Sequence, residues 1–553
     1  MRWPDLPSTV DICEYLLLNT FDYIIVGAGS AGSVLANRLT ASGSHSVLVL
    51  EAGGSDRTPF VQVPIGYGKT YYDKRVNWKY QTEPEAQLNK RQSYWPRGKV
   101  MGGSSAINAM VYVRGHPLDY DDWSKDAPGW NWQSISPLFK KMEDWSGAAH
   151  PLRGSGGLQS VSDTRQQVHA LCDSYLRAAE QLQIPLNQDY NAEVMDGACL
   201  YQITTRDGLR ASTAHCYLRP ALRRKNIRLE LYAHVTKILF DGKHATGALY
   251  QQHGKPRVAH SNRCVILCGG AVNSPQLLQL SGIGSASLLK QFDLPVLLDM
   301  PQVGQNLQDH LGADMICRTS VPSLNQELRP LPARFRSIAR YLFNRTGPLS
   351  LSVNQAGGFT RLNPDSDRPD TQLYFSPLSY TRAPINTRPL VKPDPFPGFM
   401  IGYNPCKPTS VGSLQIQSAD PFLQPRITPN YLTTEHDRKL MLAGMRLMRS
   451  LTSTKAMHGI IEKEIYPGAE VQSDEDFCQF IRQNAWTVFH PCGTCRMGDT
   501  PAANVVDSKL RVHGTSGLRI ADASIFPTIP TGNTNAPAIV TGEKAAEIIL
   551  AEH

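Results

Sequence analysis

The chain has 553 residues, 41% hydrophobic and 19% charged. That composition excludes wholesale disorder and allows a sizeable core, at ~150 residues per domain three or four domains, or two in a large α/β enzyme. The 56 Lys and Arg against 48 Asp and Glu leave +8, too dilute a charge to argue for nucleic-acid binding.

Taken in chain order, the first 20 residues carry Asp5, Asp11 and Glu14 and an apolar stretch too short for a secretory signal, so a cytoplasmic protein is expected. No later apolar run approaches the ~20 residues that span a bilayer. The 11 cysteines, with Cys264 and Cys268 in apolar runs, read as buried free thiols in a reducing compartment rather than as a disulfide framework.

From Tyr23 to Val26 a short apolar run predicts a buried parallel strand, followed by Gly27-x-Gly29-x-x-Gly32, a helix, and a second buried strand, Val47 to Leu50. Each glycine has a mechanical task. Gly27 permits the turn, Gly29 lets a pyrophosphate approach the backbone, and Gly32 lets helix and strand pack closely. The helix N-terminus at Ser30 and Ala31 offers N–H groups to phosphate. Glu51, with Ala52 beside it, ends the second strand where an acid accepts from the ribose hydroxyls. This is a dinucleotide site, and these residues alone do not separate FAD from NAD.

A further strand-like run, Cys264 to Cys268, leads through Gly269 and Gly270 into a helix. Between about 321 and 480 prolines become frequent and stretches such as SLQIQSA alternate, which predicts a separate antiparallel domain. Within it, Arg329 to Arg345 holds five arginines and no acid, with Phe335, Ile338 and Leu342 at helical spacing and Phe343 beside them. A basic amphipathic helix can lie on a membrane or cover a channel, and a solvated lid helix is the plainer reading. Leu518 to Asp522 predicts a last strand, and a helix follows from about Ala536.

The segment Pro96-Arg-Gly-Lys-Val-Met-Gly-Gly-Ser-Ser-Ala-Ile-Asn108-Ala-Met-Val-Tyr-Val-Arg-Gly115 resembles the first signature of the glucose–methanol–choline (GMC) flavin oxidoreductases, and Gly270-Ala-Val-Asn-Ser-Pro to Gly284 resembles the second. The resemblance continues through Val303-Gly-Gln-Asn-Leu-Gln-Asp-His310 to Gly532-Asn-Thr-Asn-Ala-Pro537. It is nearest to bacterial FAD-dependent alcohol and choline dehydrogenases. The fold it implies is α/β (α+β): a Rossmann-like FAD-binding domain with a substrate domain built on an antiparallel sheet flanked by helices. The division expected is an N-terminal extension at 1–20, FAD-binding segments at 21–160, 211–320 and 505–553, and substrate segments at 161–210 and 321–504.

By the same resemblance FAD meets Val100, Gly102, Gly103 and Ser104, then Asn108, Ala109, Met110 and Val111, with Trp78, Val235, Gly269, Trp486, Asp522, Ala523 and Asn535 also on the cofactor. Some members attach FAD through a histidine just before the motif asparagine. Here that residue is Ile107, so non-covalent FAD is expected. His490, in HPCGTC, maps to the family base, and Asn533 to the second member of the catalytic pair; an imidazole suits proton abstraction near neutral pH. His310 matches a position that is usually structural. Cys492 and Cys495 form a CxxC without a second ligand pair nearby, so no metal is expected.

The activity implied is FAD-dependent oxidation of a primary alcohol to an aldehyde, with a quinone or other electron acceptor. An oxidase using O2 is the alternative in the same class. The other is a family member without alcohol redox chemistry, a lyase or a light-driven fatty-acid decarboxylase. A peripheral contact with the inner membrane and the oligomeric state stay open.

Overall fold

The computed structural model describes residues 19–380 and 392–552. The expectations placed on residues 1–18, and on the 381–391 part of the proline-containing stretch from 321 to 480, lie outside them.

The Rossmann-like half is built on a seven-stranded sheet. Strands Ile227–Glu230, Val47–Leu50, Thr20–Val26 and Lys255–Leu267 run parallel in that spatial order, and Leu518–Ile520 pairs parallel to the end of Lys255–Leu267. The run expected at Cys264 to Cys268 is thus the tail of a longer strand. Its first half, which pairs antiparallel with His244–Gln252, is polar and largely solvent-accessible, so no apolar run marks it. Tyr23 to Val26 and Val47 to Leu50 are buried on both faces, which is why they read as continuous apolar runs. Helices Ser30–Leu39 and Asn535–Ala551 pack on one another. A Cβ on Gly542 would lie 2.8 Å from the Ala31 carbonyl oxygen, so the two backbones meet because that residue is glycine. Arg38 and Glu543 clamp the contact with two hydrogen bonds of 2.8 Å.

The second half is an antiparallel sheet of strands Ile461–Tyr466, Leu311–Thr319, Gly398–Pro405, Thr371–Ser376, Ala356–Thr360 and Gly197–Leu200, in that order. Leu311–Thr319, expected within a FAD-binding segment, lies instead inside this sheet, paired with Gly398–Pro405 and Ile461–Tyr466. Its residues are almost all buried, so the sequence offers no alternation to distinguish it from a parallel strand. The alternating SLQIQSA stretch contributes only Ser413–Gln415, in a separate pair with Arg426–Thr428.

Helix Glu435–Ser453 covers one face of the sheet. Thr434 caps it by accepting from the Asp437 N–H, a contact worth ~1 kcal/mol. Leu440, Met441, Met445, Met448 and Leu451 are buried on its inner side, each contributing roughly 1.5–3 kcal/mol. Gly444 sits where a Cβ would strike the Tyr403 ring at 2.0 Å. The two sheets carry separate apolar cores, and the cavity between them is where the chemistry gathers.

Candidate active site

One long cavity runs from the first βαβ unit to the antiparallel sheet. Its walls include Gly27, Gly29, Ser30, Ala31, Glu51, Ala52, Trp78, Gly103, Ser104, Asn108, Ala109, Met110, Val111, Val235, Gly269, Trp486, Asp522, Ala523 and Asn535, together with His490 and Asn533. Three expected residues stand back from it. Gly32 is packing space, because a Cβ there would lie 2.0 Å from the Gly27 carbonyl oxygen. Val100 is buried with Val61, Val76, Ala106 and Ile107. Gly102, at φ +92°, turns the chain and donates its N–H to the Ala28 carbonyl at 2.8 Å.

The nucleotide end fits a dinucleotide. The nearest atoms to a Cβ on Gly29 would be 3.9 Å away, so the protein's own packing does not demand glycine there; the space lies on the ligand side. A Cβ on Gly103 would come within 2.7 Å of the Gly29 Cα, and the two glycine segments meet as a narrow cradle. The Glu51 carboxylate accepts from the Ala28 N–H at 2.9 Å and the Gly53 N–H at 2.8 Å. Each oxygen keeps a lone pair for a hydroxyl donor. Burial pushes its pKa up to about 7. Ser30 Oγ donates to Asn535 Oδ1 at 2.8 Å and so joins the glycine loop to the last helix. The Asp522 carboxylate is occupied by Gly270 N–H, Ser274 Oγ and Ser524 N–H, so it organises the turns around it.

Asn108 is held by a residue that sequence reading missed. Arg210, fully buried without an acidic partner, donates to Asn108 Oδ1 at 2.8 Å and to the carbonyls of Ser105 and Val61. Burial lowers its pKa to about 10. Nothing in its local sequence marks it.

At the other end, His490 is fixed from every side. Its N–H donates to Asp309 Oδ1 at 2.7 Å. The preceding residue, Phe489, takes a left-handed φ of 69°, and its carbonyl is held by Arg97 at 2.6 Å. Burial pushes the Asp309 carboxyl up to about 6, although Thr487 and Tyr431 donate to it.

The imidazole hydrogen bonds have one consistent direction. His310 Nε2 is 2.8 Å from the Cys406 carbonyl oxygen, which can only accept, so His310 carries its proton there. The neutral His310 ring then accepts at Nδ1 from His490 Nδ1, 3.0 Å away. That leaves a lone pair on His490 Nε2. The far side agrees: Tyr374 OH donates to Gln372 Oε1, Gln372 Nε2 donates to Asn533 Oδ1 at 3.0 Å, and Asn533 Nδ2 meets His490 Nε2 at 3.0 Å. An imidazole so held takes up a proton at Nε2 and nowhere else. His310, expected to be structural, touches His490 directly. Burial first, then His310 and Arg97, hold the His490 pKa well below its ordinary 6.5.

Around Asn533 and His490 the cavity turns apolar, lined by Tyr67, Tyr71, Val353, Tyr380, Met400 and Phe489. These come from five separate segments, and no motif announces them. Ile107 lines the cavity without a nucleophile. Cys268 also lines it, but burial raises its thiol pKa well above the usual range. Cys492 and Cys495 are buried free thiols, raised for the same reason.

The sequence profiles of the GMC oxidoreductase N- and C-terminal regions match residues 21–312 and 408–542. The chain belongs to the GMC oxidoreductase family. It is 40% identical to an "Alcohol dehydrogenase [acceptor]" of Pseudomonas putida, over 96% of both chains. It is 39% identical to an oxygen-dependent choline dehydrogenase of Photobacterium profundum, over 96% of this chain and 93% of that one. A formate oxidase of Aspergillus oryzae, solved in work on modification of its FAD, superposes with a TM-score of 0.89 at 26% identity, covering 97% and 99% of the two chains. The family sets the cofactor of this GMC oxidoreductase as FAD.

Proposed function

We propose that this GMC oxidoreductase oxidises a primary alcohol to an aldehyde, with His490 as the base and Asn533 orienting the substrate oxygen. The observation that carries the reading is the pair of hydrogen-bond lines, from the Cys406 carbonyl and from Tyr374, that converge on a lone pair at His490 Nε2. His490 takes the hydroxyl proton at Nε2, and the Asn533 amide has a second N–H for the substrate oxygen. Arg97, half-buried on the cavity wall, adds positive charge that favours an anionic oxygen.

FAD, when bound, supplies the acceptor for the hydride that leaves the carbinol carbon. Gly27, Gly29, Ser30 and Ala31 would hold its pyrophosphate, and Glu51 its adenosine ribose. Gly103, Ser104 and Asn108 to Val111, with Trp486, Ala523 and Asn535, would lie along the rest of it. The apolar walls suit a substrate whose hydroxyl sits on a carbon chain or ring. Electrons then pass to a quinone or similar acceptor, in line with the Pseudomonas putida relative's name.

The test is an anaerobic panel of alcohols mixed with the FAD-loaded enzyme, following the flavin band at ~450 nm. Bleaching by primary alcohols supports the reading, and an unchanged band with every alcohol refutes it. Stopped-flow reoxidation by O2 against a quinone separates oxidase from dehydrogenase.

A further inference from the structure

Helix Leu331–Asn344 turns the usual amphipathic arrangement inside out. An amphipathic helix on a globular protein points its apolar stripe at the core. Here the inward residues are Ser337 and Tyr341, with Tyr341 OH bonded to the Gly208 carbonyl at 2.9 Å. The apolar side chains face out: Leu331 is 58% exposed, Phe335 66%, Leu342 62% and Phe343 86%. Leu331, Phe335 and Leu342 stand one above another at helical spacing, with Phe343 at their side.

Arginines border this stripe on both flanks, Arg334 on one and Arg336 and Arg340 on the other, with Arg329 and Arg345 at the ends. Residues 329–345 contain no acid, and none of the five arginines forms an ion pair among the described residues. Among the described residues, Arg329 and Arg340 bond only neutral oxygens, of Pro393 and Thr346.

We propose that this helix is an interfacial anchor that seats the enzyme on an anionic lipid bilayer. An outward apolar stripe flanked by cations is the arrangement that sinks roughly 5–10 Å into the headgroup boundary while the guanidinium groups meet lipid phosphates. At 14 residues the helix is about 21 Å long, so it lies in the interface and does not cross it. A second copy fits this face poorly, because a twofold contact would set the arginine cluster against itself.

The location gives the contact a use. The helix packs on the turn Pro348–Ser350, which packs on Pro64–Gly66. Beyond those turns Leu351 and Val353 join Tyr67, Tyr71 and Tyr380, the aromatic wall of the cavity. The anchor therefore stands beside the apolar end of the pocket, where an alcohol or acceptor dissolved in lipid would arrive.

The experiment is flotation of the full-length, FAD-loaded enzyme with vesicles of phosphatidylcholine alone or mixed with phosphatidylglycerol. The wild type should float with the mixed vesicles and weakly or not at all with the neutral ones, and high salt should release it. Phe335→Ser/Phe343→Ser should lower the partition coefficient about tenfold or more, and Arg334→Glu/Arg336→Glu should do so for the anionic vesicles. All four side chains are solvent-exposed, so FAD content and Tm should match the wild type and exclude misfolding as the cause. A wild type that floats with neither vesicle, whether a second copy or another segment covers the face, overturns the proposal. So do variants that float as the wild type does.

Discussion

His310 Nδ1 and His490 Nδ1 stand 3.0 Å apart, and the Cys406 carbonyl on the far side of His310 decides which of them donates. His310 is therefore a positioning residue for the His490 tautomer. His310→Ala should slow anaerobic flavin reduction by roughly 10–10³-fold, short of the ~10⁴ seen when a triad histidine loses its orienting carboxylate. His310→Gln should recover much of the rate, since its amide can donate to Cys406 and accept from His490. If both variants reduce at the wild-type rate, the hydrogen-bond direction has no catalytic consequence.

His490→Ala should reduce flavin roughly 10²–10⁴-fold more slowly, the usual contribution of a positioned base, while keeping FAD. Asn533→Ala should act on the same step less severely. Because the two side chains share one hydrogen bond, the double variant should be little worse than His490→Ala alone. Full multiplicativity in single-turnover reduction would make them independent contributors.

The pH profile follows from the sign of the His490 shift. A base at His490 would act as the neutral imidazole, and its pKa is held well below 6.5 by burial, His310 and Arg97. An unperturbed histidine would give an acid limb near 6.5; here kcat/KM should stay on its plateau through that pH and fall only below it. Asp309, raised to about 6, titrates in the same direction, and Asp309→Asn separates the two. A limb centred at or above 6.5 contradicts the environment described for His490.

FAD should be released by acid precipitation. The position that carries the attaching histidine in some family members is Ile107, and the Cys268 thiol elsewhere on the cavity wall is pushed by burial well above its usual pKa. Yellow colour retained in the pellet would show a covalent bond.

Glu51→Ala should weaken FAD binding by roughly 1–3 kcal/mol through loss of a charged acceptor. It also strands the Ala28 and Gly53 N–H groups, so Glu51→Gln, which keeps one acceptor oxygen, is the cleaner probe. Equal FAD retention on dialysis by both variants and the wild type would count against the ribose assignment.

The sequence by itself determined the parts whose signal is local. Gly27, Gly29 and Gly32 follow a strand and open a helix, and Glu51 closes the next strand; each is dictated by backbone geometry within a few residues, so its meaning survives without a fold. The GMC signatures are legible for the same reason, as contiguous runs. What sequence leaves undecided depends on distant segments meeting. Leu311–Thr319 is buried at seven of its nine residues, and only its neighbours show which sheet owns it. Arg210 and Asn108 are far apart in the chain, as are His310 and His490, and their hydrogen bonds exist only because two sheets close around one cavity. The tautomer of His490 is the sharpest case. It is set by a carbonyl at Cys406 that any residue could have supplied, because every residue carries that oxygen and only the tertiary structure aims it.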